Sequence, residues 1–274
     1  MKTWLITGCS SGFGAAIAEA ALARGDRVML TARNLDSLTD IVRRHPETAR
    51  RTILDVTRTE TVVAAIAEAE RAFGGIDIFV NNAGYGVIGA IEEVSAADYR
   101  AMFETNVFGL IEACRAALPA LRRSRGRIVN ISSNLGLWSR SGFGLYSASK
   151  AAVEMVSAAL ADELAPMGIG VIIVEPGAFR TDFLGRSMVI AADRLPIYDE
   201  TAGQMRGFAE TVSGRQPGDP AKAARIILDA VDAAEPPLHL PLGPDAHQNI
   251  QSKLDRISRD MAAWAAVTTA TGFE

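Results

Sequence analysis

Short apolar runs alternate with helix-spaced amphipathic stretches along most of the chain, and this alternation restricts the fold more than any other feature. Trp4-Leu-Ile-Thr7 is an apolar run that stops at Gly8, as a buried strand does. Gly12–Arg24 is Ala-rich with helical spacing and ends at Gly25, a residue suited to a helix C-terminus. Arg27–Thr31 predicts the second strand, Asn34 caps a helix running to about Arg44, and Thr52–Leu54 predicts the third strand. The helix expected over Thr59–Phe73 carries Val62, Ile66, Ala69 and Phe73 on one stripe. Asp77–Val80, Arg127–Ile131 and Ile169–Val174 continue the strands, and Ala97–Arg122 and Leu145–Ala165 supply two long helices between them. Such alternation needs right-handed crossovers, so the expected fold class is α/β: a doubly wound parallel sheet with helices on both faces. Its ligand belongs at the carboxyl ends of the strands.

Beyond Gly177 the regularity lapses, until Asp219–Ala233 reads as a helix, Leu238–Leu242 as a seventh strand, and Asp245 to Val267 as a last helix. The chain is therefore read as one domain of 274 residues, with a substrate lid over about 182–216 and a C-terminal extension over 243–274. The lid follows the last cofactor loop and is too long for an ordinary connection. Phe183, Leu184, Met188, Val189, Ile190, Leu195, Ile197, Tyr198 and Phe208, with Trp138 and Phe143, are expected to line it. A net charge of −4 argues against a nucleic-acid partner. No apolar run reaches the roughly 18 residues of a membrane span. Cys9 and Cys114 read as free thiols, and no signal peptide precedes the first strand, so a cytoplasmic protein without a metal is expected.

Between the first strand and the first helix lies Thr7-Gly8-Cys9-Ser10-Ser11-Gly12-Phe13-Gly14. Glycines there let the backbone approach a pyrophosphate, and the helix N-terminus favours its charge. The G-x-x-x-G-x-G spacing resembles the single-domain branch of the short-chain dehydrogenase/reductase family rather than the long-chain Rossmann pattern. Asn81-Asn82-Ala83-Gly84 looks like the family's N-N-A-G segment, and Leu54-Asp55-Val56 matches the position that addresses the adenine. Pro176-Gly177, with Thr181 beyond it, resembles the loop beside the nicotinamide amide. The resemblance implies a Rossmann-type cofactor cleft built from all of these.

Tyr146-Ser-Ala-Ser-Lys150 is the family's Y-x-x-x-K signature, whose spacing sets both side chains on one helix face. A free phenol, with a pKa of about 10, is a poor base, and a neighbouring ammonium with the oxidised nicotinamide lowers it. Ser133, 13 residues earlier, stands where the family places its carbonyl-orienting serine. Asn106 matches the helical Asn that holds a water for the Lys-linked proton relay. The resemblance thus implies hydride transfer between nicotinamide and a hydrophobic ketone, aldehyde or secondary alcohol, with Tyr146 as acid/base. A catalytically silent redox sensor and a sugar-nucleotide epimerase are the competing readings; the intact Asn106, Ser133, Tyr146 and Lys150 set and the absence of a second domain weigh against them.

NAD-type members carry an acidic residue near the end of the second strand, where this chain reads Ala32-Arg33. No carboxylate repels a 2′-phosphate there, and the Arg33 guanidinium is suited to grip one, so the cofactor is expected to be NADP(H). Ser10 or Ser11 adds a hydroxyl. By family analogy a homo-oligomer, dimer or tetramer, is expected through Ala97–Arg122 and Leu145–Ala165.

Overall fold

The computed structural model describes residues 1–273, apart from the side chain of Glu210. Its elements run β1 (Thr3–Ile6), α1 (Gly12–Ala23), β2 (Arg27–Ala32), α2 (Thr39–Arg44), β3 (Ala49–Ile53), α3 (Thr59–Phe73), β4 (Ile78–Asn81) and β5 (Gly86–Ile88). There follow α4 (Ala96–Phe103), a π-helical segment (Glu104–Phe108), α5 (Gly109–Ser124), β6 (Arg127–Ile131), α6 (Asn134–Leu137), α7 (Gly144–Leu164) and β7 (Gly170–Pro176). The chain closes with β8 (Met188–Ile190), α8 (Ala202–Val212), α9 (Pro220–Asp232), β9 (His239–Leu242) and α10 (Pro244–Thr268).

Seven strands pair in the order β3-β2-β1-β4-β6-β7-β9, every pairing parallel. This is the doubly wound α/β sheet that the alternation predicts. The two-residue period of β1 divides the core: Trp4 and Ile6 face a cluster with α1 and α9, while Leu5 faces another with α3, α5 and α7. Strand order reverses between β1 and β4, which opens a crevice at the carboxyl ends of the sheet.

Five elements go beyond the sequence reading. The expected single helix Ala97–Arg122 is α4 and α5 joined through the π-helical segment, which holds Asn106. Two three-residue strands, β5 and β8, pair in parallel as a separate small sheet, and α6 is a single turn. Within 182–216 the chain is not irregular throughout, because β8 and α8 lie inside it. That segment is fastened by Glu93, a buried carboxylate that accepts from Ala90 N at 2.8 Å and Leu195 N at 2.9 Å and pairs with Arg206 of α8.

Candidate active site

A cleft of about 1030 Å³ opens over the N-terminus of α1 and runs across the carboxyl ends of β1, β4, β6 and β7. Gly8 (φ 71°) and Gly12 (φ 60°) occupy the left-handed region that a side chain disfavours, which lets the loop fold back over the helix start. Gly14 lies behind the cleft wall, where a Cβ would strike the Gly8 carbonyl oxygen and the Asn82 amide. The loop is held from β4. Asn82 Nδ2 donates to the Thr7 and Gly8 carbonyls at 2.9 Å each, and Thr7 Oγ1 accepts from Asn82 N and Ala83 N at 2.9 and 3.0 Å. Asn81 points into the core instead, donating to Asn130 Oδ1 at 2.9 Å, so the two asparagines divide structural work between sheet and loop.

Gly8, Ser10, Ser11, Gly12, Phe13, Arg33, Asp55, Val56, Asn82, Ala83 and Gly84 line this cleft together with Ser133, Tyr146, Lys150, Pro176, Gly177 and Thr181. The sequence-derived residues therefore converge on one site, Gly14 and Asn106 standing behind its wall. Ser11 is the N-cap of α1, and its side chain makes no capping bond. The Asp55 carboxylate is occupied by Thr57, whose N–H and hydroxyl donate at 3.0 and 2.8 Å. Thr181 caps the turn at Asp182–Leu184, accepting from Phe183 N at 3.4 Å. Cys9 is buried, and burial pushes its thiol up to about 12, so this loop cysteine is inert.

Tyr146 and Lys150 leave α7 on one face, with Nζ 6.0 Å from the phenol ring centroid. Lys150 is buried and donates to the Ile131 carbonyl at 2.8 Å. Burial pushes its ammonium down to about 8, against the opposing field of Glu154. Burial also pushes the Tyr146 phenol above its ordinary range, opposed by the Ser133 hydroxyl. The lowering expected from the ammonium together with the oxidised nicotinamide therefore has to overcome this burial.

Ser133 is the N-cap of α6, accepting from Leu135 N at 3.1 Å, which fixes its hydroxyl beside Tyr146. Asn106 is buried in the π-helical segment, and its amide is fully engaged: Oδ1 accepts from Tyr85 N at 3.0 Å, and Nδ2 donates to Tyr85 O at 2.8 Å and Ser149 Oγ at 3.1 Å. Its side chain braces the loop after Gly84 and makes no hydrogen bond to Lys150.

Of the expected lid residues, Phe183, Leu184 and Phe208 line the cleft with Trp138 and Phe143. Met188 and Val189 pack in the apolar cluster around Tyr146, whereas Ile197 is exposed and Tyr198 hydrogen-bonds Glu92 at 2.7 Å. Phe183 meets the Tyr146 ring at 5.5 Å between centroids. Two contributors escaped the sequence reading. Phe179 packs edge-on against Phe13 at 5.2 Å, so Phe13 is braced by the loop after β7 rather than projecting freely. Asp245, in the first turn of α10, accepts from Ala178 N at 2.8 Å and sits against Gly177. Nothing in the local sequence marks Asp245 except its place after Gly243-Pro244, at a helix start.

The family profile described as short chain dehydrogenase matches residues 2–188. Oxidoreductase BOA17 of Botryotinia fuckeliana is 37% identical over 272 residues, covering 98% of this chain and 99% of the relative. A crystal structure of a short-chain dehydrogenase from Streptomyces avermitilis is 44% identical, with a TM-score of 0.92 over 99% of this chain and 100% of that one. An alcohol dehydrogenase from Thermococcus sibiricus, complexed with 5-hydroxy-NADP, is 25% identical, with a TM-score of 0.74 over 88% of this chain and 96% of that one.

Proposed function

The chain belongs to the short-chain dehydrogenase family, and from that premise we propose that it is an NADP(H)-dependent carbonyl reductase or alcohol dehydrogenase with Tyr146 as its acid/base. The observation that carries this reading is the meeting of Tyr146, Ser133 and Lys150 with the glycine loop in one cleft. The residues fit a dinucleotide: two glycines at positive φ bring the backbone against the start of α1, and the α1 N-terminus faces the cleft. When bound, the cofactor supplies or accepts the hydride. Ser133 donates to the substrate oxygen as charge grows there, and Tyr146 moves the proton at its phenolic oxygen. Lys150 favours the phenolate by its charge and would contact the ribose of the bound cofactor. Asn106 supports the proton relay by bracing the loop between Gly84 and Tyr85.

The substrate is a hydrophobic ketone, aldehyde or secondary alcohol, because aromatic and aliphatic side chains dominate the wall beyond Tyr146. The guanidiniums at that wall are occupied: Arg186 pairs with Asp182 at 2.7 Å, and Arg140 lies 5.6 Å over the Phe208 ring. NADPH oxidation followed by absorbance over a panel of ketones tests this reading. Turnover that is highest with apolar ketones supports it, and best efficiency with small charged carbonyls overturns the substrate class. Absence of turnover with stoichiometric NADPH binding would favour a silent sensor.

Residues 1–274 form one domain in this reading, with 182–216 as its substrate lid, latched by Glu93, and 243–274 as its C-terminal extension. The protein works in the cytoplasm as a homo-oligomer; among the described residues no helix is long and apolar enough to cross a membrane. Exposed Phe108 beside α5 and exposed Met155 on α7 suit the two long helices to subunit packing. Light scattering should return a multiple of 29.1 kDa, and a mass of one chain would contradict it. Gly14→Ala should overpack the loop by about 1–3 kcal/mol and lower the Tm by about 2–10 °C. Calorimetry with nicotinamide fluorescence titration should find weakened NADPH binding alongside, and an unchanged Tm with intact binding would show that the loop has room.

A further inference from the structure

Behind the cleft, between α7 and the sheet, lie three ligating side chains that the acid/base chemistry does not use. His239 stands opposite Ile173 in the β7–β9 register, and Glu175, two residues along β7, shares that face of the sheet. Glu154 joins them from the buried side of α7. One donor atom from each falls within 4.8 Å of the other two. Glu175 Oε1 meets His239 Nδ1 at 2.7 Å, and Glu154 Oε2 stands 3.7 Å from the same nitrogen. Both carboxylates are fully buried, while the His239 side chain is 45% exposed and opens the cluster to solvent.

The polar atoms aimed into this cluster are left open. Neither oxygen of Glu154 has a hydrogen-bond partner among the described residues, and Glu175 Oε2 has none either. The Ser132 hydroxyl is also buried and unpartnered. It borders Glu154 where Gly136 of α6 leaves space: a Cβ at Gly136 would come within 2.8 Å of Ser132 Oγ and 3.0 Å of Glu154 Oε1. Buried charges are paired or coordinate metals. The imidazole of His239 stands against both carboxylates, and one imidazolium does not balance two of them. A dication does, and it leaves the imidazole neutral, free to bind through Nδ1.

A four-coordinate zinc holds oxygen and nitrogen donors at about 2.0–2.2 Å, which spaces them roughly 3.3–3.6 Å apart. The two distances at His239 Nδ1, 2.7 and 3.7 Å, bracket that spacing. We propose that Glu154, Glu175 and His239 form a binding site for one divalent transition cation of the zinc class. Glu154 Oε2, Glu175 Oε1 and His239 Nδ1 are its protein ligands, and water entering past the exposed imidazole completes the shell. The proton held between Glu175 and His239 leaves to solvent as the cation enters. Ser132 is placed to support the Glu154 oxygen that does not bind, as the outer partners of ligating carboxylates do. A nitrogen among the donors favours zinc over magnesium or calcium, which take oxygen ligands. Because β9 is an edge strand paired with β7 alone, the cation would pin it to β7 and α7 together.

Calorimetric titration of the metal-free, tag-free protein with Zn²⁺ tests the site and needs neither NADPH nor turnover. One Zn²⁺ per chain is expected. His239→Ala, Glu154→Gln and Glu175→Gln should each weaken binding by more than the roughly 10–100-fold that loss of a supporting residue costs. His45→Ala is the surface control: His45 Nε2 lies 3.6 Å from Glu19, and its removal should leave the affinity unchanged. Zn²⁺ at about 100 times its Kd should raise the Tm of the parent by about 4–10 °C. That rise should vanish in His239→Ala, and Mg²⁺ should not reproduce it.

A parent that takes up no Zn²⁺ in a titration to roughly 1 mM would show that the carboxyls hold protons instead, and would overturn the proposal. Undiminished binding in His239→Ala or in either glutamine variant, or an equal loss in His45→Ala, would put the zinc elsewhere and overturn it too. An equal rise in Tm with Mg²⁺ would overturn the class of cation. The His239 side chain is partly exposed, so His239→Ala decides the outcome by itself where a buried variant does not fold. Binding and unfolding are the readouts, so failure here leaves the acid/base reading of Tyr146 standing, and failure of that reading leaves the zinc site standing.

Discussion

Tyr146→Phe is expected to reduce turnover by about 10²–10⁴-fold, the usual worth of a positioned general acid or base. NADPH affinity, read from nicotinamide fluorescence, should stay within about twofold, a free-energy change of under roughly 0.5 kcal/mol. The substitution deletes a hydroxyl and little else. The ring keeps its edge contact with Phe143 at 6.4 Å and its tilted contact with Phe183 at 5.5 Å, so the wall of the cleft is preserved. Lys150 keeps its bond to the Ile131 carbonyl, which does not involve the phenol. A loss confined to the chemical step, with the Tm nearly unchanged, is therefore the signature of a lost proton. Burial alone drives the phenol upward, so the phenolate has to be favoured by the Lys150 ammonium and the oxidised cofactor together. With Lys150 near 8, the support from its charge is present below that pH and lost above it. Activity within a few-fold of the parent would remove Tyr146 from the reaction and transfer the proton's route to a group such as Ser133.

What could be read without coordinates follows from the physics of each element. The central strands announce themselves because a parallel sheet buried on both faces is written as continuous apolar runs, of which Ile78–Val80 and Val171–Val174 are examples. The site residues sit where strands meet helices, and their spacing is local, so Gly8 to Gly14 and Tyr146 to Lys150 were legible as motifs. Gly86–Ile88 and Met188–Ile190 were not, since each is three residues long and a strand only because the other, about 100 residues away, pairs with it. The π-helical turn at Glu104–Phe108 is equally silent: its sequence continues the helical pattern, and the extra residue is absorbed where Asn106 bonds the Tyr85 backbone. Asp245 acts on Gly177 and Ala178 from a helix that begins more than 60 residues later, a contact that no local pattern encodes. The same holds for the Glu154, Glu175 and His239 cluster, assembled from α7, β7 and β9. Sequence reading thus captured motifs closed within one strand–loop–helix unit and missed partners joined only by the tertiary fold.

Arg33→Ala is expected to abolish most of a preference for NADPH over NADH. Ala32 ends β2 buried and without charge, where a carboxylate would repel a 2′-phosphate. Arg33 follows at once, exposed and lining the cleft, and its guanidinium has no hydrogen-bond or ion-pair partner among the described residues. The polar side chains near it are engaged elsewhere: Asn34 caps its own turn by accepting from Asp36 N at 2.9 Å, and Asp55 accepts from Thr57. A free guanidinium at the mouth of a dinucleotide cleft pays no cost of breaking a prior ion pair when it takes a phosphate. One charge-assisted contact, at roughly 1.5–3 kcal/mol, corresponds to a preference of about 10- to 150-fold. The loss should fall on the Michaelis constant for NADPH, leave kcat nearly unchanged, and barely alter the constants for NADH, whose ribose carries no phosphate. Arg33→Lys should recover part of the margin, since an ammonium supplies the charge without the planar fork. Raising ionic strength should erode the preference of the parent and leave that of Arg33→Ala flat. Equal efficiency with the two cofactors in the unmutated protein would show that Arg33 does not read the phosphate, and a preference for NADH would reverse the assignment.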